Sequence, residues 1–261
     1  MNNNYIETVE DFQRVINEIQ NNRVPVIGEK YQEIYRGQSK DSYKLQSGIA
    51  RYAKSSLEIE KLEKKIVNSF KKLIEDSKDP KKFIQLCDYE NDYENEWRWL
   101  EQMQHYGLPT RLLDWSLDPK IALYFAIESN IEDVGQFWIF KSPLNWLADD
   151  HFKINPFSKD LDIISNSRFY LYNNPETKIA EHRRFFQDGK FTIQDYQKSI
   201  YPLEKQFEIS NKLIKYLILP KAKKILLEYL ENFNINNDSV YIKFDPEIEN
   251  LISLVKQQNK I

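Results

Sequence analysis

The sequence predicts an α+β fold: a small mixed or antiparallel sheet flanked by several helices. Three observations carry this. At least five stretches repeat their apolar residues with helical period and open on capping residues. Runs of strand character are few, short and scattered, around Tyr35, Phe137 to Phe140, Phe191 to Ile193 and Lys215 to Leu219. Those runs do not alternate with helices as parallel βαβ units would, and a sandwich or a bundle suits neither set. With 261 residues, 41% of them hydrophobic and 14% aromatic, the chain has material for one large core, read as a single domain over 1–261. Its motif core lies at about 32–140 and 181–219, with helices at both ends.

Taken in order, Thr8-Val9-Glu10-Asp11 reads as a capping box, opening a helix with Val9, Phe12, Ile16 and Ile19 on one face that ends by Asn22. After a turn around Pro25 and Gly28, Gln32 to Arg36 is a short strand that Gly37 ends. Arg36 is thereby projected at a strand end, where open sheets place ligands. Leu45 to Arg51 is a loop bearing a second cation, Arg51. Ser55 and Glu58 cap the longest helix, Ser56 to about Ser77, with Leu62, Ile66, Phe70, Leu73 and Ile74 inward and Lys64, Lys65, Lys71 and Lys72 outward. A helix from Pro80 to Cys87 follows.

A third helix, rich in Trp and Leu, starts near Asp92 to Glu94 and is stopped at Tyr106 by Gly107 and Pro109, because Gly accepts the left-handed C′ position and Pro cannot continue the ladder. A short polar loop then carries Thr110, Arg111, Asp114 and Ser116. Asp118 as N-cap and Pro119 as first helical residue open a helix to Ser129, apolar on every side from Ile121 to Ile127 and therefore interior. Polar groups pinned between two buried elements are where sites are usually built. Beyond it, Gly135 to Phe140 is a buried strand. Residues 142–180 form an irregular excursion, too aromatic for a linker. Asp188-Gly189 turns into the strand ending at Ile193, Lys215 to Leu219 is another, and Pro220 opens a helix with Ile225, Leu226, Tyr229, Leu230 and Phe233 inward. The last helix, from Asp245 and Pro246, has Ile248, Leu251, Ile252 and Val255 inward.

Composition narrows the function. A net charge of −3 and a pI near 5.8 argue against a broad nucleic-acid surface. One cysteine, Cys87, and three separated histidines argue against a disulfide or a zinc site. The N-terminus lacks a signal-like run, and no apolar run approaches the ~18 residues of a membrane helix, so a cytoplasmic protein without metal or membrane partner is expected. No Gly-x-Ser-x-Gly elbow, Walker loop, dinucleotide glycine fingerprint or His-Glu-x-x-His is present.

The string His105-Tyr106-Gly107-Leu108-Pro109-Thr110-Arg111-Leu112-Leu113-Asp114-Trp115, then Ala122-Leu123-Tyr124-Phe125-Ala126, with Tyr35-Arg36-Gly37-Gln38 upstream, resembles the FRG domain family, named for its aromatic-Arg-Gly motif. More distantly, the order of an aromatic-Arg-Gly strand end, a Ser/Thr segment and a helix with Tyr-Phe-Ala is similar to the ADP-ribosyltransferase superfamily. That resemblance implies NAD as substrate. Arg36 would contact its phosphates with Gly37 admitting the ligand to the backbone, Thr110 or Ser116 would shape the nicotinamide pocket, and Tyr124 would lie beside it. It also implies a glutamate on a later strand, where this chain has Gln187, with Glu181, Glu204 and Glu208 as the nearest carboxylates. A toxin or phage-defence setting in a bacterium is the role implied by analogy.

The residues themselves leave alternatives open. Arg36 suits bidentate contact with phosphate, and equally a core pair with Asp114. Arg111 could pair with Asp114 or help bind a nucleotide, His105 could serve as acid or base or merely meet the last carbonyls of its helix, and Ser116 could simply stabilise its turn. The expected constellation brings Arg36, His105, Thr110, Arg111, Asp114 and Tyr124 to one pocket, with Arg36, His105 and Asp114 catalytic. The alternative is a non-catalytic module that binds a nucleotide or a protein target in the same pocket.

Overall fold

The computed structural model describes residues 4–21, 31–84, 93–143, 154–158, 161, 164–166, 189–241, 244 and 246–261. Its elements are β1 (Tyr5–Ile6), α1 (Val9–Asn21), β2 (Tyr31–Gln38), α2 (Ser56–Glu75), α3 (Glu94–His105), β3 (Leu113–Ser116), α4 (Pro119–Ile127), β4 (Gly135–Pro143), β5 (Ile164–Asn166), β6 (Gly189–Ile193), α5 (Tyr196–Ser199), α6 (Phe207–Ser210), β7 (Leu213–Ile218), α7 (Pro220–Glu231), α8 (Asn237–Val240) and α9 (Pro246–Asn259). The fold is α+β. One mixed sheet runs in the order β1-β7-β4-β2-β3-β6-β5, antiparallel except for the β1–β7 pair.

The expected contact between the Tyr35 strand and the 137–140 strand is present, Tyr35 opposite Ile139. Gly37 does not end β2, which runs two residues past Arg36 to Gln38. The reason is α4. A Cβ on Gly37 would lie 1.8 Å from the Ala122 carbonyl oxygen and 2.5 Å from the Ala126 nitrogen, and one on Gly135 would lie 2.4 Å from the Ala126 oxygen. The glycines let the helix backbone press directly on β2 and β4, with Ala122 and Ala126 as the helix's own small residues at the seam. Successive strand residues point to opposite faces. Tyr35, Phe137 and Ile139 therefore join Phe12, Leu123 and Leu226 in the core beneath α1, α4 and α7, while Ile34, Trp138 and Phe140 pack with Leu45, Trp115 and Leu203 on the other face.

A separate helical core joins α2, α3 and α9, with Ile59, Ile66 and Phe70 against Trp99, Met103, Ile248, Leu251 and Val255. The caps form as the sequence predicts: Thr8 with Asp11, Ser55 with Glu58, and Asp118 accepting from the Lys120 N–H. Gly107 sits at φ +73°, and the Leu108 N–H reaches the Met103 carbonyl while that of Gly107 reaches Gln104, closing α3 in a Schellman turn.

Other expectations shift. The loop from Thr110 becomes strand β3 from Leu113, because its amides find partners in β6. Ile225 and Phe233, read as inward, are about half exposed. Of the Pro80 helix only a 3-10 turn over Pro80–Lys82 falls among the described residues, Cys87 lying outside them. No helix among the described residues is long and apolar enough to cross a membrane, and no group of three or more His, Cys, Asp or Glu is placed to hold a metal.

Candidate functional site

A cavity of about 390 Å³ opens where β2, β3, the turn after α3 and the end of α9 meet. Its charged lining is Arg36 from β2, Arg51 from a 3-10 turn over Gly48–Arg51, Asp114 from β3 and Lys256 from α9. Arg36 faces it for a simple reason: Gly37 is turned toward α4, so the residue before it points the other way.

Arg36 and Asp114, separated by 78 positions, meet here. The guanidinium Nη1 donates to the Asp114 backbone carbonyl and lies 3.8 Å from the carboxylate. The Arg36 side chain is 17% exposed and that of Asp114 54%. Nε of Arg36 is buried and makes no hydrogen bond. Burial pulls the Arg36 pKa below its ordinary value, the Asp114 carboxylate opposes this, and the Arg51 cation adds to the lowering. An arginine keeps its proton, so the shift marks a positive charge that its surroundings only partly compensate. Arg51 and Lys256 have no side-chain hydrogen bond or ion pair among the described residues.

Asp114 is held from behind. Gln104 Nε2 donates to its Oδ2 at 2.7 Å, while the fully buried Thr110 donates through Oγ1 to Gln104 Oε1 at 2.6 Å and accepts from the Leu112 N–H at 3.1 Å. The threonine fixes which way the Gln104 amide faces, and the amide in turn fixes the carboxylate. Thr110 thus reaches the site through a positioning residue rather than by lining it.

The remaining expected residues lie elsewhere. Arg111 pairs with neither Asp114 nor Arg36. It turns inward to Glu63 of α2, Nε to Oε2 at 2.7 Å with both side chains fully buried, and its own N–H bonds Oε1 at 2.9 Å. It also donates to the carbonyls of Gln194 and Pro156, and its guanidinium stacks 3.8 Å from the Tyr196 ring centre. Each of its three guanidinium nitrogens has a partner and the side chain is fully buried, so Arg111 acts as a structural lock away from the cavity. Tyr124 is buried in the core beneath α4, against Phe125 and Tyr241, and does not line the cavity. Gly37 admits a helix, not a ligand. Ser116 accepts from the Asp118 N–H at 3.0 Å, stabilising the turn into α4. His105 packs edge-on against Phe191 at 6.0 Å and is absent from the cavity lining. Gln187 and Glu181 lie outside the described residues. Glu204 accepts from the Leu45 N–H and Glu208 lies near Lys198, so neither faces the cavity.

Sequence reasoning missed Gln104, Lys256 and Glu63. Glu63 alone left a signal, as a carboxylate on the apolar stripe Ile59, Ile66, Phe70. No curated protein and no solved structure matches the chain. The family model for the FRG domain matches residues 31–134, the segment that supplies Arg36, Arg51, Gln104 and Asp114 to the cavity.

Proposed function

We propose that the cavity binds the phosphate groups of a nucleotide, with NAD the first ligand to test. One observation carries this reading: three cations, Arg36, Arg51 and Lys256, line one cavity against a single carboxylate side chain, Asp114. Cations that outnumber carboxylates at a concave surface favour an anion with more than one charge, and a planar guanidinium matches phosphate bidentately. The volume falls within the range of ligand pockets, roughly 300–1,000 Å³. Tyr52, which is 54% exposed and lines the same cavity, offers a flat face on which a base could stack.

Calorimetric titration of the protein with NAD and with ADP tests the reading. Arg36→Ala should weaken binding about tenfold or more, the loss of a charge-assisted bidentate contact, and affinity should fall as salt is raised. Stability should fall by only about 0.5–1.5 kcal/mol, the net worth of the lost bond to the Asp114 carbonyl, because the Asp114 carboxylate is 54% exposed and keeps its Gln104 donor. Failure of the parent protein to bind either nucleotide would overturn the proposal.

Asp114 favours a second reading, in which bound NAD is also cleaved. Breaking the bond between nicotinamide and ribose sends the bonding pair out with nicotinamide and leaves an oxocarbenium-like ribose, which water or a protein nucleophile attacks at C1′ with loss of a proton. A carboxylate already oriented by Gln104 and half exposed to the cavity would stabilise that charge. Nicotinamide release by the parent protein, lost in Asp114→Asn, is the test. An ADP-ribosyltransferase-like or NAD-hydrolysing activity would fit a toxin or phage-defence role in a bacterial cytoplasm. Binding without release would leave a non-catalytic nucleotide-binding module, open to a protein target as well.

A further inference from the structure

The FRG match ends at residue 134, yet the cavity does not. One wall comes from α9, more than a hundred residues later in the chain. The helix is docked by Ile248, Leu251, Ile252 and Val255 on the α2 residues Ile59, Ile66 and Phe70, and Lys65 Nζ donates to the Gln258 carbonyl at 3.3 Å. Its end is turned back on itself. Lys260 takes φ +56°, the Ile261 N–H bonds the Lys256 carbonyl at 3.1 Å, and Ile261 joins the cavity lining. A left-handed lysine is disfavoured relative to glycine by about 1–2 kcal/mol, so this fold-back is held by the packing around it. Lys256, beside the buried Val255, is thereby set at the cavity with no ion pair or side-chain hydrogen bond among the described residues.

We propose that Lys256 is a ligand contact, reading a second anionic group of the nucleotide that Arg36 holds, so that α9 is part of the binding site and is clasped to the FRG domain by the ligand. This rests on the nucleotide reading above. Arg36 on strand β2 and Arg51 on the 3-10 turn both line the cavity from within the matched segment and can serve one phosphate. A third cation from a separate element, facing the same space, suits a pyrophosphate better than a single phosphate. An ammonium on a flexible stem acts as a point charge and adapts to the second group where a guanidinium fixes the first.

The test uses the full chain, with NAD and inorganic pyrophosphate as probes, and reads affinity by calorimetry and amide exchange along α9. Lys256→Ala should weaken both probes about tenfold, Lys256→Arg should restore most of the loss, and Lys72→Ala, which removes the same charge from an exposed position of α2, should leave affinity unchanged. Binding should also slow exchange in the last two turns of α9. Alanine is the better helix former, so the folded state survives the substitution, which a thermal melt checks. Parent-level affinity in Lys256→Ala, a loss no larger than that in Lys72→Ala, or unchanged exchange in α9 on ligand binding would each overturn the inference while leaving the pocket reading intact. Absence of binding by the parent protein would remove that reading and this one with it.

Discussion

The most exposing perturbation for the central motif is Arg111→Met. The side chain is fully buried and bonds the Glu63 carboxylate twice, counting its backbone N–H, as well as two backbone carbonyls. Methionine fills much of the volume but removes the charge facing the fully buried Glu63 carboxylate, which keeps the Arg111 backbone N–H. Breaking a buried pair from one side costs roughly 3–5 kcal/mol, and in a chain of this size each kcal/mol moves Tm by about 2–4 °C. A fall of roughly 6–20 °C is expected, with the urea midpoint shifting in step. Glu63→Leu should fall comparably, since it strands the guanidinium. The double variant should recover part of the loss, because an apolar pair needs no compensation. Recovery should stop short of the parent, as the Gln194 and Pro156 carbonyls would still lack their donor. A single-variant loss below about 1 kcal/mol, or strictly additive losses, would refute the assignment of Arg111 as a structural lock.

Three further outcomes follow from the geometry. Gly37→Ala should destabilise by roughly 1–3 kcal/mol in chemical denaturation, because its Cβ meets backbone atoms of α4 that cannot yield independently, whereas Gly48→Ala, whose Cβ finds nothing closer than 3.6 Å, should stay within about 0.5 kcal/mol. Thr110→Val removes the donor to Gln104 and the acceptor of the Leu112 N–H, and should lower stability by about 1–3 kcal/mol and weaken any ligand contact made by Asp114; an unchanged urea midpoint would count against the Thr110–Gln104–Asp114 relay. Burial raises the pKa of Tyr124, Tyr196 and Tyr216 above the ordinary phenol value, the Glu63 carboxylate adding to the rise at Tyr196. Above about pH 10 the unfolded chain has therefore released protons that the folded chain still holds, so these groups make stability fall as pH rises. The lowered pKa of Lys223 acts in the opposite sense, which makes the comparison with Tyr196→Phe the decisive one: urea midpoints from about pH 8 to about pH 11 should decline less steeply in that variant.

Much of the architecture was legible in the sequence because it was written in local chemistry. The caps at Thr8, Ser55 and Asp118, the Gly107 stop and the apolar circumference of α4 each act over a few residues, and each formed. What misled was chemistry whose partner lies far along the chain. Gly37 reads as a strand end or a ligand approach until α4 is laid over it. Arg111 reads as a site residue until Glu63, 48 positions earlier, is seen beneath it. Residue types alone offer the meeting of Arg36 with Asp114 as one of two possibilities. Gln104 and Lys256 gave no warning, since a glutamine near a helix end and a lysine on an amphipathic helix are ordinary surface residues until a cavity gathers them.

The sheet itself is unevenly knit. Between β2 and β4 eight residue pairs face one another, but between β2 and β3 only Tyr35 and Ser116 do. By backbone pairing the strands therefore form two groups, β1-β7-β4-β2 and β3-β6-β5, joined at one rung and by the packing of Ile34 and Phe140 with Trp115, and beside that rung Arg36 supplies by its side chain a bond to the Asp114 carbonyl. A phosphate that drew the guanidinium away would slacken this joint, and one that bound it in place would tighten it.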